Sequence, residues 1–167
     1  MNISRFPFFD HIARRLMGRG LRRHPDYVIG EDGSDPYLRR WWLIPRNRFF
    51  NIYLHHVRHS DDDRALHDHP WPNLTVVLAG GYVEVMPAHR DIWPWNRDLK
   101  RVTRTAGDLV FRRAADPHRL ESGHTECWTL FITGPALRTW GFWCDLWRPW
   151  YEFTDPQNPG RAGRGCD

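Results

Sequence analysis

Leu66-His67-Asp68-His69-Pro70-Trp71-Pro72-Asn73 (LHDHPWPN) is the stretch around which the rest of the chain is read. It runs into an apolar segment, residues 74–79 (LTVVLA), whose β-branched content predicts a strand. Side chains on an extended chain alternate faces, so His67 and His69 point the same way and can reach one small cation. Imidazole is a common transition-metal ligand, and two on one rigid segment lower the entropic cost of assembling a site. An isolated pair of this kind is more often two polar loop residues, so the surrounding chain decides.

Upstream, residues 37–44 (YLRRWWLI) and 48–57 (RFFNIYLHHV) flank Pro45-Arg46-Asn47 and predict a hairpin. In its second strand Ile52, Leu54 and His56 share one face and Asn51, Tyr53, His55 and Val57 the other, so one of His55 and His56 faces inward. Gly30 to Pro36 is turn-like, and residues 59–63 (HSDDD) form a polar loop leading to the histidine pair. Downstream, Gly80-Gly81 turn the chain into a strand at 82–86 (YVEVM), and residues 87–96 (PAHRDIWPWN) are a loop. A short strand at 101–105 (RVTRT) and a Gly107-Asp108 turn then lead through residues 109–117 to His118. Segments 127–133 (CWTLFIT) and 140–153 (WGFWCDLWRPWYEF) finish the ordered chain. Many short strands with Gly/Pro turns predict an all-β double-sheet jelly roll or small barrel. The one expected helix is 8–17 (FFDHIARRLM), apolar at Phe8, Phe9, Ile12, Leu16 and Met17, basic opposite, and stopped by Gly18 and Gly20. Its apolar side is expected to pack on the domain. Three parts follow: an N-terminal helix and turn extension (1–36), a barrel with an aromatic C-terminal segment (37–153) and a flexible tail (154–167).

At 167 residues the chain suits one domain with a sizeable core, and ten Trp, nine Phe and five Tyr make that core or its pocket aromatic. The net charge of +4 comes with arginines scattered along the whole chain, which reads as solvated surface, so nucleic acid is not an expected partner. No run of 18 apolar residues occurs and MNISRFPFFD lacks the order of a signal peptide, so a cytoplasmic protein without membrane contact is expected. Cys127, Cys144 and Cys166 show no C-x-x-C spacing and read as reduced thiols, Cys127 in a strand core and Cys166 in a disordered tail.

The histidine spacings resemble the cupin superfamily (RmlC-like jelly rolls), whose motifs read G-x5-H-x-H-x3/4-E-x6-G and G-x5-P-x-G-x2-H-x3-N. His67-x-His69 is followed after three residues by Asn73 and after six more by Gly80, with Asn where the family usually has Glu and Asp61 in place of the opening glycine. Gly107 stands eleven positions before His118, the family offset, while Arg113, Ala115 and Ser122 replace the motif's Pro, Gly and Asn. The resemblance spans residues 41–134 and implies a cupin-type double-stranded β-helix holding a divalent transition metal on His67, His69 and His118.

Three neutral imidazoles leave coordination positions open, as a catalytic metal requires. Asn73 is then a weak fourth ligand or a group that binds metal-bound water. Three-histidine cupins include the thiol dioxygenases, but residues 129–133 read TLFIT and lack their Ser-x-His-x-Tyr relay, so a cysteine substrate is not supported. Fe(II) in a dioxygenase acting on a small organic molecule is the favoured expectation; Zn, Ni, Mn, Co and Cu suit the same ligands. A non-catalytic cupin binding a small molecule or sugar, and a metal-dependent sugar isomerase or epimerase with Glu84, His56 or Tyr53 as base, are the alternatives. Parity puts Asn73, Thr75 and Val77 inward; Tyr53 or His56, Trp128 or Thr129, and Arg119 or Arg48 are the candidates for contacting substrate. His11, His24, His89 and His124 are assigned to surface or loops. The tryptophans of 140–150 form either a lid over the barrel mouth or a homodimer contact.

Overall fold

A computed structural model of the chain describes residues 7–30, 36–60, 65–89, 98–122, 126–155, 157, 163 and 165–166. The expected turn over 31–35, residues 61–63 of the acidic loop, Trp93 and Trp95, His124 and most of the tail lie outside them.

The aromatic hairpin forms β2 (Leu38–Trp42) and β3 (Asn51–Val57). They belong to a six-stranded antiparallel sheet with β1 (Tyr27–Ile29), β5 (Asn73–Ala79), β8 (Leu109–Arg112) and β10 (Cys127–Thr133), in the order β1-β2-β3-β10-β5-β8. A second sheet has β6 (Gly81–Pro87) between β7 (Leu99–Thr105) and β9 (Arg119–Ser122). The third joins the short β4 (Leu66–His67) to β11 (Gly141–Trp143) and β12 (Trp147–Pro149), after which α2 (Trp150–Phe153) closes the C-terminal segment. Strands distant in sequence are neighbours in space, as when β10 lies between β3 and β5. That crossing order, all antiparallel, is the double-sheet roll expected from the strand pattern. At the β5–β6 turn Gly80 has φ +68°, and a Cβ there would stand 2.0 Å from the Glu126 carbonyl oxygen, so only glycine lets the chain reverse.

Both faces of the large sheet are covered. Inside, Leu38, Val57, Val77 and Cys127 pack against Tyr82 of β6. Outside, Trp41, Leu54, Leu78 and Trp128 pack against Ala13 of α1 (Pro7–Leu21), with Phe9, Leu16 and Met17 beside them. The helix therefore does pack its apolar side on the domain, but it does not stop at its glycines. It continues to Leu21 because Gly20 is a contact surface: a Cβ there would come 2.9 Å from Leu54 Cδ2 and 3.2 Å from the Trp128 ring.

The reading of all cysteines as free thiols is corrected. Cys127 is free and buried, but Cys144 and Cys166 form a disulfide with Cα atoms 5.4 Å apart. The end of the chain folds back onto the barrel, where Gly165 N–H donates to the Phe153 carbonyl (3.1 Å) and Arg148 donates to the Gly165 carbonyl (3.4 Å). Such a return is set by tertiary packing and leaves no mark in cysteine spacing. With the bond present, the cysteine argument for a cytoplasmic chain falls away. Among the described residues no helix is long and apolar enough to cross a membrane.

Candidate metal centre

His67, the last residue of β4, and His118, just before β9, sit directly opposite one another in an antiparallel bridge. Each donates its backbone N–H to the other's carbonyl, at 2.8 and 2.9 Å. Such a hydrogen-bonded pair holds two side chains side by side on one face, and the two rings are 4.8 Å apart. His69, two positions along, donates its N–H to the Ala114 carbonyl (3.0 Å). His67 therefore ends a short strand of its own in the third sheet, and His69 lies just beyond that strand. Pro70 and Pro72 interrupt the chain before Asn73, and the expected single run from His67 into residue 79 does not form.

Between the two histidines Asp68 points the other way and is fully buried. Its carboxylate accepts from Gly141 N–H (2.8 Å), Arg138 Nη1 (2.6 Å), Trp143 Nε1 (3.1 Å) and Trp147 Nε1 (3.0 Å). Two of the C-terminal tryptophans are thus donors that lock the segment carrying the histidines. Asp68→Ala would leave four donors, one of them a charge, facing a hole. We expect a loss of about 3–5 kcal/mol in denaturant unfolding; a loss below about 1 kcal/mol would show that the cage is not structural.

The three histidine rings place their ligand atoms within 4.8 Å of one another. His69 Nε2 and His118 Nε2 are 2.9 Å apart, close to the roughly 3 Å kept by two nitrogens bound at right angles to one ion at about 2.1 Å. Burial, reinforced by the neighbouring His118, keeps His69 well below the ordinary histidine range. His118 is pushed down to about 3 by burial and by the Arg112 charge. Both therefore remain neutral imidazoles with lone pairs available, and this donor set fits a divalent transition ion.

Behind His118 is Glu84 of β6, which has no exposed surface. Its Oε1 lies 3.2 Å from His118 Nδ1, accepts from Arg112 Nε (2.6 Å), and its Oε2 accepts from Arg104 Nε (2.8 Å). Burial alone would raise the carboxyl, but His118 and Arg112 outweigh it and hold it below the usual carboxylate range. A carboxylate behind a ligand histidine fixes its ring and raises its basicity.

Asn73 is buried in the same network, and its Oδ1 accepts from Arg112 Nη1 (3.4 Å). The oxygen expected to ligate weakly is thus engaged by a guanidinium, while Nδ2 has no hydrogen-bond partner among the described residues. Thr75 Oγ1 accepts from the same Arg112 nitrogen (2.9 Å). Tyr53 and Thr129 share the inner face of the large sheet with Thr75, as the register Phe131↔Tyr53, Thr129↔His55 and Phe131↔Thr75 requires.

Four substrate candidates are corrected. His56 and Trp128 are opposite each other on the outer face, stacked at 4.1 Å beneath α1, and His56 Nε2 is 2.8 Å from Glu126. Arg119 pairs with Glu121 (2.8 Å) alongside Arg101 on the outward side of β9, opposite to Glu84 and Leu120. Arg48 is an exposed residue over the Phe49 ring. Sequence reasoning missed Arg112, Asp68 and Trp71. Trp71 stands edge-on to His69 (5.2 Å), and its place two residues after the second histidine was the available signal.

Buried neutral histidines fix the sign of the pH response. His55, His56, His69 and His118 are all held below the ordinary value by burial. As pH falls through about 6.5 the unfolded chain takes up protons that the fold refuses, so stability falls with pH. Glu84, depressed, loses its contribution in the same direction at lower pH. We expect the Tm of metal-free protein to drop between pH 7.5 and 5, each histidine contributing up to about 1.4 kcal/mol per pH unit; a Tm that is flat or rises toward pH 5 would contradict this.

No protein-family model matches the chain, and no curated protein matches it. Solved structures do. DMSP lyase DddQ from Ruegeria pomeroyi DSS-3 is similar over 83% of this chain and 68% of its own, with TM-score 0.60 and 16% identity. FeII HppE matches over 66% and 58%, with TM-score 0.47 and 16% identity. A cupin superfamily protein from Desulfitobacterium hafniense DCB-2 matches over 63% and 84%, with TM-score 0.44 and 13% identity. At 16% identity the likeness to the first of these is one of fold. With its crossed antiparallel sheets and both histidine spacings brought to one point, the chain has the cupin fold, and its His67, His69 and His118 form a group that could hold a metal ion.

Proposed function

We propose that the chain is a metal-dependent enzyme acting on a small organic molecule, as a non-heme Fe(II) dioxygenase. The observation that carries the reading is the convergence of three imidazoles, His69 and His118 held neutral, with no carboxylate among the described ligand atoms. A bound divalent ion would supply Lewis acidity and, as iron, the electrons that oxygen chemistry needs. The chain supplies the rest. Glu84 and Arg112 set the orientation and proton state of His118, and Asp68 fixes the backbone that carries His67 and His69. Phe131 (5.9 Å from His69) and Trp71 give an aromatic wall that orients a flat or apolar substrate and keeps water away. The test is anaerobic reconstitution with Fe(II), followed by oxygen uptake with thiols, diketones and hydroxylated aromatic acids. Uptake with one class supports the dioxygenase; none with any counts against it.

The likeness of fold to DMSP lyase DddQ favours a second reading, an elimination in which the ion only polarises the substrate. That chemistry would run without oxygen and with Zn(II) or Mn(II), so anaerobic turnover separates the two.

A further inference from the structure

We infer that Arg40 forms an anion subsite on the inner wall of the barrel, taking the carboxylate of a small organic acid whose other end faces the histidine triad. The assignment of that other end rests on the function proposed above; the anion site itself stands on Arg40. Arg40 of β2 is opposite His55 in the ladder, on the face that also carries Tyr53 and Phe131. It is half-buried, donates Nε–H to His55 Nε2 (2.8 Å) and lies over the Tyr53 ring (5.0 Å). Those contacts fix the plane of the guanidinium and use one of its three nitrogens.

The other interior arginines have their counter-ions: Arg112 has Glu84 and Arg138 has Asp68. Arg40 is paired with no carboxylate among the described residues. The charged or titratable groups with the largest effect on it, Tyr53, Tyr37, Tyr27 and Arg46, include no carboxylate. A partly desolvated guanidinium without a counter-ion is costly to hold, and its terminal N–H pair matches a carboxylate by forked hydrogen bonding.

The path from this cation to the triad is short and apolar. His55 stacks on Phe131 (4.9 Å), and Phe131 packs on His69 (5.9 Å). A ligand with an acid group at one end and an aromatic or aliphatic body would therefore lie along Phe131 with its far end toward the histidines. An amide or a neutral sugar would leave Arg40 without a counter-charge.

Binding of benzoate, 3-phenylpropionate and glutarate to the full chain, each against its amide, tests this by calorimetry. Metal-free protein is used first, so that a carboxylate cannot gain affinity from an ion. At least one acid should bind about tenfold or more tightly than its amide. Arg40→Gln should abolish that preference, Arg40→Lys should keep part of it, and both should bind Zn(II) at the wild-type stoichiometry. If no acid outbinds its amide, or if the preference survives Arg40→Gln, the subsite is refuted. Should Arg40→Gln fail to fold, the wild-type comparison and Arg40→Lys decide. An Arg40-dependent preference in a chain that takes up no divalent ion would uphold the subsite and overturn the metal reading, so the two can fail separately.

Discussion

His67→Ala is expected to reduce the metal recovered with the purified protein from about one ion per chain to less than about a tenth, with activity falling in proportion. Two imidazoles rarely retain a divalent ion against buffer, because each lost ligand bond removes a large share of a free energy of order 10 kcal/mol. The fold should survive the change. His67 is half-exposed, and its backbone bonds to His118 are unaffected by loss of the ring. Elemental analysis and circular dichroism on the same preparation check both statements. Wild-type metal content in the variant would mean that the ion, if any, is held elsewhere.

Glu84→Gln carries the second large effect, on stability and metal affinity together. The carboxylate is fully buried between Arg112 (2.6 Å), Arg104 (2.8 Å) and His118 Nδ1 (3.2 Å). Removing its charge leaves Arg112 buried without a counter-ion, a change worth about 3–5 kcal/mol. Through His118 it should also weaken metal binding about 10–100-fold. Adding Arg112→Met should recover much of the stability without restoring metal affinity, because the stranded charge is gone but the support behind His118 is not. A Glu84→Gln variant within about 0.5 kcal/mol of wild type would show that the network contributes little.

The class of fold was legible because strand alternation and turn residues are local signals: the 80–81 turn, the 37–57 hairpin and the short strands after Gly107 all form. The histidine group was legible because two fixed spacings each end on a histidine. What stayed hidden depends on which face is which. His55 and His56 alternate as expected, yet both are buried, since α1 covers one side of the sheet and the barrel encloses the other. Parity alone could not say that His56 and Trp128 lie outside. Prolines 70 and 72 also broke the run along which parity was carried from His67 to Asn73, although Thr75 still faces inward through its own pairing with Phe131. Asp68 and Arg112 act through partners dozens of residues away, Arg40 through His55 across a strand pair, and the Cys144–Cys166 bond through a returning segment, and spacing does not record such contacts.

The proposed enzyme rests on one ion shared by three imidazoles. The direct measurement is a crystal structure of protein loaded with Fe(II), Zn(II) or Co(II), with data collected on either side of the metal's absorption edge. A single anomalous peak should appear about 2.0–2.2 Å from one nitrogen each of His67, His69 and His118. Excess metal that leaves no peak among these three rings, or a peak ligated by other residues, would contradict it.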